Sequence, residues 1–219
     1  MTPLFFKDDW ERDEDGRFYG DGGGASGGGR EGPTSPVGDP DAFAEALTEQ
    51  TVGQFKPGSP ERQAVVDYKN TSQRVNEALR DGLDDPDVEA IDTVMSQDTA
   101  RLQEDALLFR GADSPELRDA ALNDIDSVVG AEVRDSAFLS TSASDVIAKD
   151  AAEGMDGVVL EIHCEAGTRA IGGEVINYLK EAEVILDRDV PMEVIASRMD
   201  ESRGVPVLEV LPTDLGANL

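Results

Sequence analysis

Apolar side chains recur every three or four residues from Phe43 to Leu102, then fall into short blocks and alternating runs from Ala106 to Val210. The first spacing builds one apolar stripe on a helix and the second suits strands, so the chain must place helices first and sheet afterwards. Pro40 and Asp41 open a helix whose face carries Phe43, Ala44 and Leu47 and which ends near Gly53. A longer helix is expected from Val65, Tyr68, Val75, Leu79 and Leu83, with Gly82 near its end. A third, opened by Asp85-Pro86, carries Val88, Ile91, Val94, Met95 and Leu102. Strands are expected over 106–109, 137–142, 157–163, 183–186, 192–196 and 205–210, with a short helix over 144–153. This segregation predicts an α+β domain and argues against a βαβ repeat.

Residues 1–40 have another composition. Charges from Lys7 to Asp15 give way to glycines and then to Pro33, Pro36 and Pro40, with too little apolar area to offset chain entropy. The expectation is a disordered acidic, glycine-rich tail over 1–40 and one domain over 41–219. Gly22, Gly24 and Gly27 fit a GxGxxG spacing, but no strand precedes them and no helix follows, so they read as linker.

Across 219 residues, 47 Asp and Glu outweigh 19 Lys and Arg, a formal charge of −28. So acidic a chain repels phosphate backbones and anionic lipid, which argues against general nucleic-acid binding and against membrane attachment. No apolar run approaches the roughly 20 residues that cross a bilayer. The first ten residues lack the basic and then apolar order of a secretory signal, so a cytoplasmic location is expected. One cysteine, Cys164, and one histidine, His163, form neither a disulfide framework nor a Cys/His zinc site, and no metal is expected. Adjacent on the clearest strand, they face opposite ways and read as sheet residues, not as a nucleophile and its base.

Three strands carry polar groups at an end: Arg110 after Leu-Leu-Phe, Ser140-Thr141-Ser142 after Phe-Leu, and Glu181-Ala182-Glu183 before Val-Ile-Leu. A guanidinium fork matches a pair of phosphate oxygens, and Gly111 beside it lets backbone approach a ligand. Two carboxylates two residues apart share one side of an extended backbone and raise each other's proton affinity. Gly172-Gly173, ahead of them, reads as a source of loop mobility.

The order Leu-Phe-Arg-Gly, Phe-Leu-Ser-Thr-Ser, Glu-x-Glu-Val-Ile-Leu resembles the signature of bacterial and phage mono-ADP-ribosyltransferases. Tyr68 followed by Val75-Asn76 and Leu79-Arg80 is similar to a helical segment of that family. So is Val129-Gly130-Ala131-Glu132-Val133 to its approach to Ser-Thr-Ser, and Tyr178 stands where an aromatic precedes the acidic pair. The resemblance spans about residues 60–211. It implies helices packed on a two-sheet mixed or antiparallel β core, NAD as substrate and no metal.

It also implies transfer of ADP-ribose to a target protein with an exposed arginine, because the first acidic position holds Glu where Gln accompanies other acceptors. Glu183 would then stabilise the oxocarbenium-like ribose, Glu181 would orient the acceptor and take its proton, and Ser140 would hold Glu183. Arg110 is assigned to the NAD phosphates or ribose and Gly111 to the nicotinamide amide. Phe138 is assigned to the nicotinamide ring, Tyr68 and Asn76 to the nucleotide, and Tyr178 to the target. Arg80, Arg134 and Arg169 are the candidates for a second phosphate ligand.

Two other readings stay open. One keeps the pocket but uses water or a non-protein acceptor, which makes an NAD glycohydrolase. The other is a non-enzymatic phage virion or assembly protein, since Asp15-Gly16-Arg17-Phe18 with its glycines is similar to tails of phage head-associated proteins. The readings coexist if the tail attaches a packaged enzyme to a virion or a partner protein; toxin, phage effector and host regulator all fit.

Overall fold

A computed structural model describes residues 36–176 and 180–213, together with the backbone of 11–12 and 18–19. The two short stretches, β1 (Glu11–Arg12) and β2 (Phe18–Tyr19), pair antiparallel. The rest of the tail up to residue 35, with its glycine run, lies outside the described residues, as does Tyr178.

Helix starts follow the sequence. α1 (Pro40–Thr51), α2 (Pro60–Arg80) and α3 (Pro86–Met95) each begin at a proline behind an Asp or Ser cap. The Asp39, Ser59 and Asp85 side chains accept a first-turn N–H, and proline there gives up no helical hydrogen bond. Gly82, left-handed at φ 65°, follows the end of α2. α3 stops at Met95, so Leu102 belongs to the loop beyond it and not to the helical stripe. α4 (Pro115–Asn123) was not expected, because Leu117, Ala120 and Ala121 make a thin apolar face; Ser114-Pro115 nevertheless repeats the start signal of the other three.

The strands are β3 (Ala106–Ala112), β4 (Glu132–Val133), β5 (Leu139–Ser142), β6 (Val158–Cys164), β7 (Ala170–Gly172), β8 (Glu183–Leu186), β9 (Met192–Asp200) and β10 (Val205–Pro212). α5 (Asp145–Gly154) joins β5 to β6. All eight belong to one mixed sheet in the order β4-β9-β10-β6-β3-β5-β8-β7, antiparallel except between β10 and β6. The expected two-sheet core takes the form of two leaves. β3 pairs with β6 along its whole length but with β5 at Phe109 and Ser142 alone.

Strand alternation then sorts the core. Leu107 and Phe109 of β3, Val159 of β6 and Val205 and Val207 of β10 pack against Ala148 and Ala152 of α5. Leu108, Leu160, Ile162, Val184, Leu186 and Leu208 fill the other side with residues of α1 and α4. Phe138, Ile171 and Ile185 face α2 and α3. Cys164 and His163 sit in β6 as expected, both buried, and burial pushes the Cys164 thiol up to about 12, far from a thiolate nucleophile.

The lone pair joining the leaves is reinforced by buried charge. Asp135, just ahead of β5, accepts from Arg80 of α2 through both carboxylate oxygens, at 3.0 and 2.7 Å, and from the Ala137 N–H at 3.0 Å. Arg110 of β3 approaches the same carboxylate at 3.6 Å and donates to the Ser140 carbonyl at 2.8 Å. One carboxylate thus ties together helix, inner strand and outer leaf. Asp135→Ala leaves two buried guanidiniums without it and is expected to cost about 3–5 kcal/mol, measured as a lower urea midpoint at unchanged slope.

Gly111 answers to packing. A Cβ there would lie 2.6 Å from the Ala148 carbonyl oxygen and 2.7 Å from the Ala152 nitrogen, both α5 backbone. Gly111→Ala is expected to push α5 off the sheet at a cost of about 1–3 kcal/mol, read as a fall in Tm.

Candidate active site

Where β3 and β5 part, a cavity of about 280 Å³ opens between the leaves. β3 contributes Phe109, Arg110 and Gly111, β5 contributes Ser140, Thr141 and Ser142, and α5 closes one wall with Ala148 and Ala151. Lys69 and Ser72 come from α2, on either side of the non-helical Thr71, and Glu181 and Glu183 reach in from the start of β8. Five of the residues expected at the site, Arg110, Gly111, Ser140, Glu181 and Glu183, therefore meet here although far apart in sequence.

Ser140 and Glu183 share a face of the β5–β8 ladder, Ser140 opposite Ile185 and Ser142 opposite Glu183. Phe138 and Ile185, also on that face, are covered by α2 and α3, so its apolar end is core and its polar end is cleft. The Ser140 hydroxyl donates to Oε1 of Glu183, and Lys69 Nζ donates to Oε2 at 3.2 Å. Ser142 donates to the Glu181 carbonyl at 2.5 Å and Thr141 to the Val184 carbonyl at 2.6 Å, so all three hydroxyls of the Ser-Thr-Ser run anchor the acidic segment.

The acidic pair is not extended. Ala182, between the two glutamates, is left-handed at φ 48°, so the two side chains do not share a side in the way an extended strand would place them. The carboxylates still converge because Lys69 draws both, Glu181 at 3.6 Å and Glu183 at 3.2 Å. Glu183 is nearly enclosed, whereas the Glu181 side chain is 42% exposed at the mouth. Burial raises the Glu183 pKa above the ordinary carboxylate value and Glu181 adds to this, against the pull of Lys69 and Ser140. Burial also opposes the Lys69 charge, but Glu183, Glu174 and Glu181 outweigh it and raise the ammonium's pKa.

Gly173 makes room for this carboxylate: a Cβ would stand 2.4 Å from Glu183 Oε2. Gly172 is equally tight against Thr48 of α1, so the glycine pair serves close approach and does not loosen the loop.

Three expected ligand contacts take another form. Tyr68, Asn76 and Phe138 are fully buried behind β5, and none lines the cavity. The Tyr68 hydroxyl donates to the Phe138 carbonyl at 3.1 Å, and Asn76 donates to that hydroxyl at 3.1 Å and to the carbonyl at 3.3 Å. The Tyr68 and Phe138 rings meet edge to face at 6.0 Å. Burial holds the Tyr68 hydroxyl protonated far above its ordinary range. With the Arg110 bond to Ser140, these donors satisfy the carbonyls of Phe138, just ahead of β5, and of Ser140 within it, on the edge from which β3 has departed, which explains why a burial-prone strand end tolerates the split.

None of the three candidate second arginines lines the cavity: Arg80 holds Asp135, Arg169 donates to the Met95 carbonyl at 2.6 Å, and Arg134 pairs with Asp189 at 2.7 Å. Sequence reasoning missed Lys69 and Glu174. The available signal for Lys69 was its place directly after Tyr68 in a chain with five lysines. Among the described residues no cluster suited to a metal ion occurs, and no helix is long and apolar enough to cross a membrane.

Comparison with solved structures gives the same architecture. The C3 exoenzyme of Clostridium limosum superposes with a TM-score of 0.66 at 20% identity, over 82% of this chain and 97% of that one. An ADP-ribosyltransferase of Clostridium botulinum gives 0.61 at 16% identity, over 83% and 98%. A protein of S. aureus solved with NAD gives 0.62 at 14% identity, over 79% and 95%. A comparison with curated protein sequences yields no match. Residues 43–210 carry the sequence pattern described as ADP-ribosyltransferase exoenzyme, and on that match the chain belongs to this family, as an NAD-dependent ADP-ribosyltransferase of toxin type.

Proposed function

We propose that the chain transfers ADP-ribose from NAD to an arginine side chain of a target protein, with Glu183 and Glu181 in separate roles. The observation that supports this is the pair of carboxylates at different depths of one cleft, Glu183 enclosed beside Ser140 and Glu181 at the solvent edge. The glycosidic bond breaks with its electron pair going to the nicotinamide nitrogen, so nicotinamide leaves neutral and positive charge develops on the ribose. A carboxylate held in a water-poor pocket stabilises that charge, and Glu183 is the enclosed one. An arginine nitrogen then bonds to the ribosyl carbon and releases a proton, which Glu181, open to an incoming protein, accepts.

The cleft suits the donor in one further respect. Arg110 and Lys69 balance Glu181 and Glu183 in its lining, so the cleft lacks the acidic excess with which the rest of the chain repels a dinucleotide. Arg110, committed to the Ser140 carbonyl and Asp135, acts mainly by holding the β5 wall; Gly111 offers backbone to the nicotinamide amide. Tyr178 is retained as the target-recognising aromatic of the segment before Glu181. The 1–40 tail is proposed as the attachment to a virion or partner protein.

Labelled NAD, a target-cell lysate and the purified chain test the acceptor. Glu183→Gln is expected to lower both labelling and nicotinamide release by about 10²–10³-fold, the scale of losing one preorganised electrostatic group. Glu181→Gln is expected to abolish labelling of arginine, located by mass spectrometry, while nicotinamide release persists. Label on a residue other than arginine, or nicotinamide release by the wild type with no label at all, overturns the arginine acceptor.

Because Glu183 is buried and holds its proton more tightly than in the unfolded chain, its ionised form opposes folding at neutral pH. The stability this group contributes is present below the unfolded carboxylate range and is lost as pH rises through the folded value. Glu183→Gln is therefore expected to raise Tm at pH 7.5, with the gain shrinking toward pH 4.

A further inference from the structure

One ammonium and one carboxylate outside the Glu-x-Glu pair converge on it. Lys69 Nζ lies 3.2 Å from Glu183, 3.4 Å from Glu174 and 3.6 Å from Glu181, and its side chain is 1% exposed. Glu174, with a side chain 5% exposed, also accepts the backbone N–H of Glu183 at 3.0 Å and of Glu181 at 3.3 Å through the oxygen that faces Lys69. Its own N–H donates to the Thr48 hydroxyl of α1 at 3.0 Å. These bonds span the left-handed Ala182, where the backbone turns between the glutamates.

We propose that Lys69 and Glu174 are positioning residues for the acidic pair: Glu174 clamps the backbone of its turn, and Lys69 fixes where the two carboxylates stand. The inference rests on the reading of Glu183 as the carboxylate that meets the ribosyl cation. A turn with a left-handed alanine is strained, and the two bonds to Glu174 offset that strain at N–H groups that lie beyond the β7–β8 register, which ends at Gly172 and Val184. Lys69 has a second effect. The groups that face Glu183 are Lys69 and Tyr68 of α2, Ser140 of β5, Glu181 and Glu174. Of these only Lys69 is positive, so against burial it favours the ionised form of the enclosed carboxylate, the form that opposes positive charge.

The alternative use of a buried lysine in such a cleft is to bind an NAD phosphate, and kinetics separate the two. Nicotinamide release and target labelling are measured from pH 5 to 9 for the wild type, Lys69→Met, Lys69→Arg, Glu174→Ala and Glu174→Gln, with Glu183→Gln as control. The proposal expects Lys69→Met to lower kcat at least tenfold, to change KM for NAD less than threefold, and to move the acidic limb of the kcat profile up by a pH unit or more. Lys69→Arg restores most of kcat and the limb. Glu174→Ala lowers kcat without moving the limb upward, and Glu174→Gln, which keeps an accepting oxygen, recovers most of it.

A Lys69→Met enzyme with wild-type kcat and pH profile, or with only a raised KM, overturns the inference. If Lys69→Met does not fold, Lys69→Gln carries the same criteria. A Glu183→Gln control that retains turnover overturns instead the role of Glu183 and the inference with it; an inactive control with an unmoved Lys69→Met profile overturns the inference alone.

Discussion

The pairing of β3 with β5 at a single position, Phe109 with Ser142, is the constraint on which the rest of the molecule turns. β3 is fully engaged with β6, and β5 with β8, so the two leaves can diverge on either side of that bridge and leave a cleft between them. Divergence strips strand-edge carbonyls of their ladder partners, and buried carbonyls without donors are costly. Tyr68, Asn76 and Arg110 donate to Phe138 and Ser140 in their place. Asp135 then neutralises the buried charge that Arg110 brings. Residues that look like ligand contacts in the sequence are, in large part, what allows the cleft to exist.

Charge inside the cleft follows a different logic from charge on the surface. The chain carries a large acidic excess, yet three carboxylates at the site are gathered round one enclosed ammonium, where the dielectric is low and each interaction counts for more than at the surface. Several other cations are engaged with carboxylates away from the cleft, Arg198 with Glu161 and Glu209, Arg203 with Asp150 and Glu153, Arg188 with Asp92. Lys69 differs from these three by its burial, not by proximity to acid alone.

Much of this was legible in the amino-acid order. Proline behind Asp or Ser marked the helix starts, the change of apolar spacing marked the passage to sheet, and the Arg, Ser-Thr-Ser and Glu-x-Glu groups converge as their order implied. The rest depended on three-dimensional closure. Lys69 and Glu174 stand 105 residues apart and carry no pattern of their own. Tyr68 and Phe138 kept their expected neighbourhood but not their expected direction, because alternation tells which face a residue shares without telling whether that face is covered. β7 has three residues, too few for a period, and the left-handed Ala182 has no local signal, since alanine ordinarily avoids that conformation.

Gly173 bears on how such a site can diversify. Every substitution at this codon adds at least a Cβ, and here that atom would fall on the oxygen of Glu183 that Lys69 holds. The position is closed to drift as long as Glu183 keeps its place, whatever the target. Glu181, at the open mouth, is under no such steric restriction. Descendants of this chain that change partners would be free to vary at the rim and not behind the enclosed carboxylate, so selection for new targets and retention of the bond-breaking chemistry act on separate parts of the same short segment.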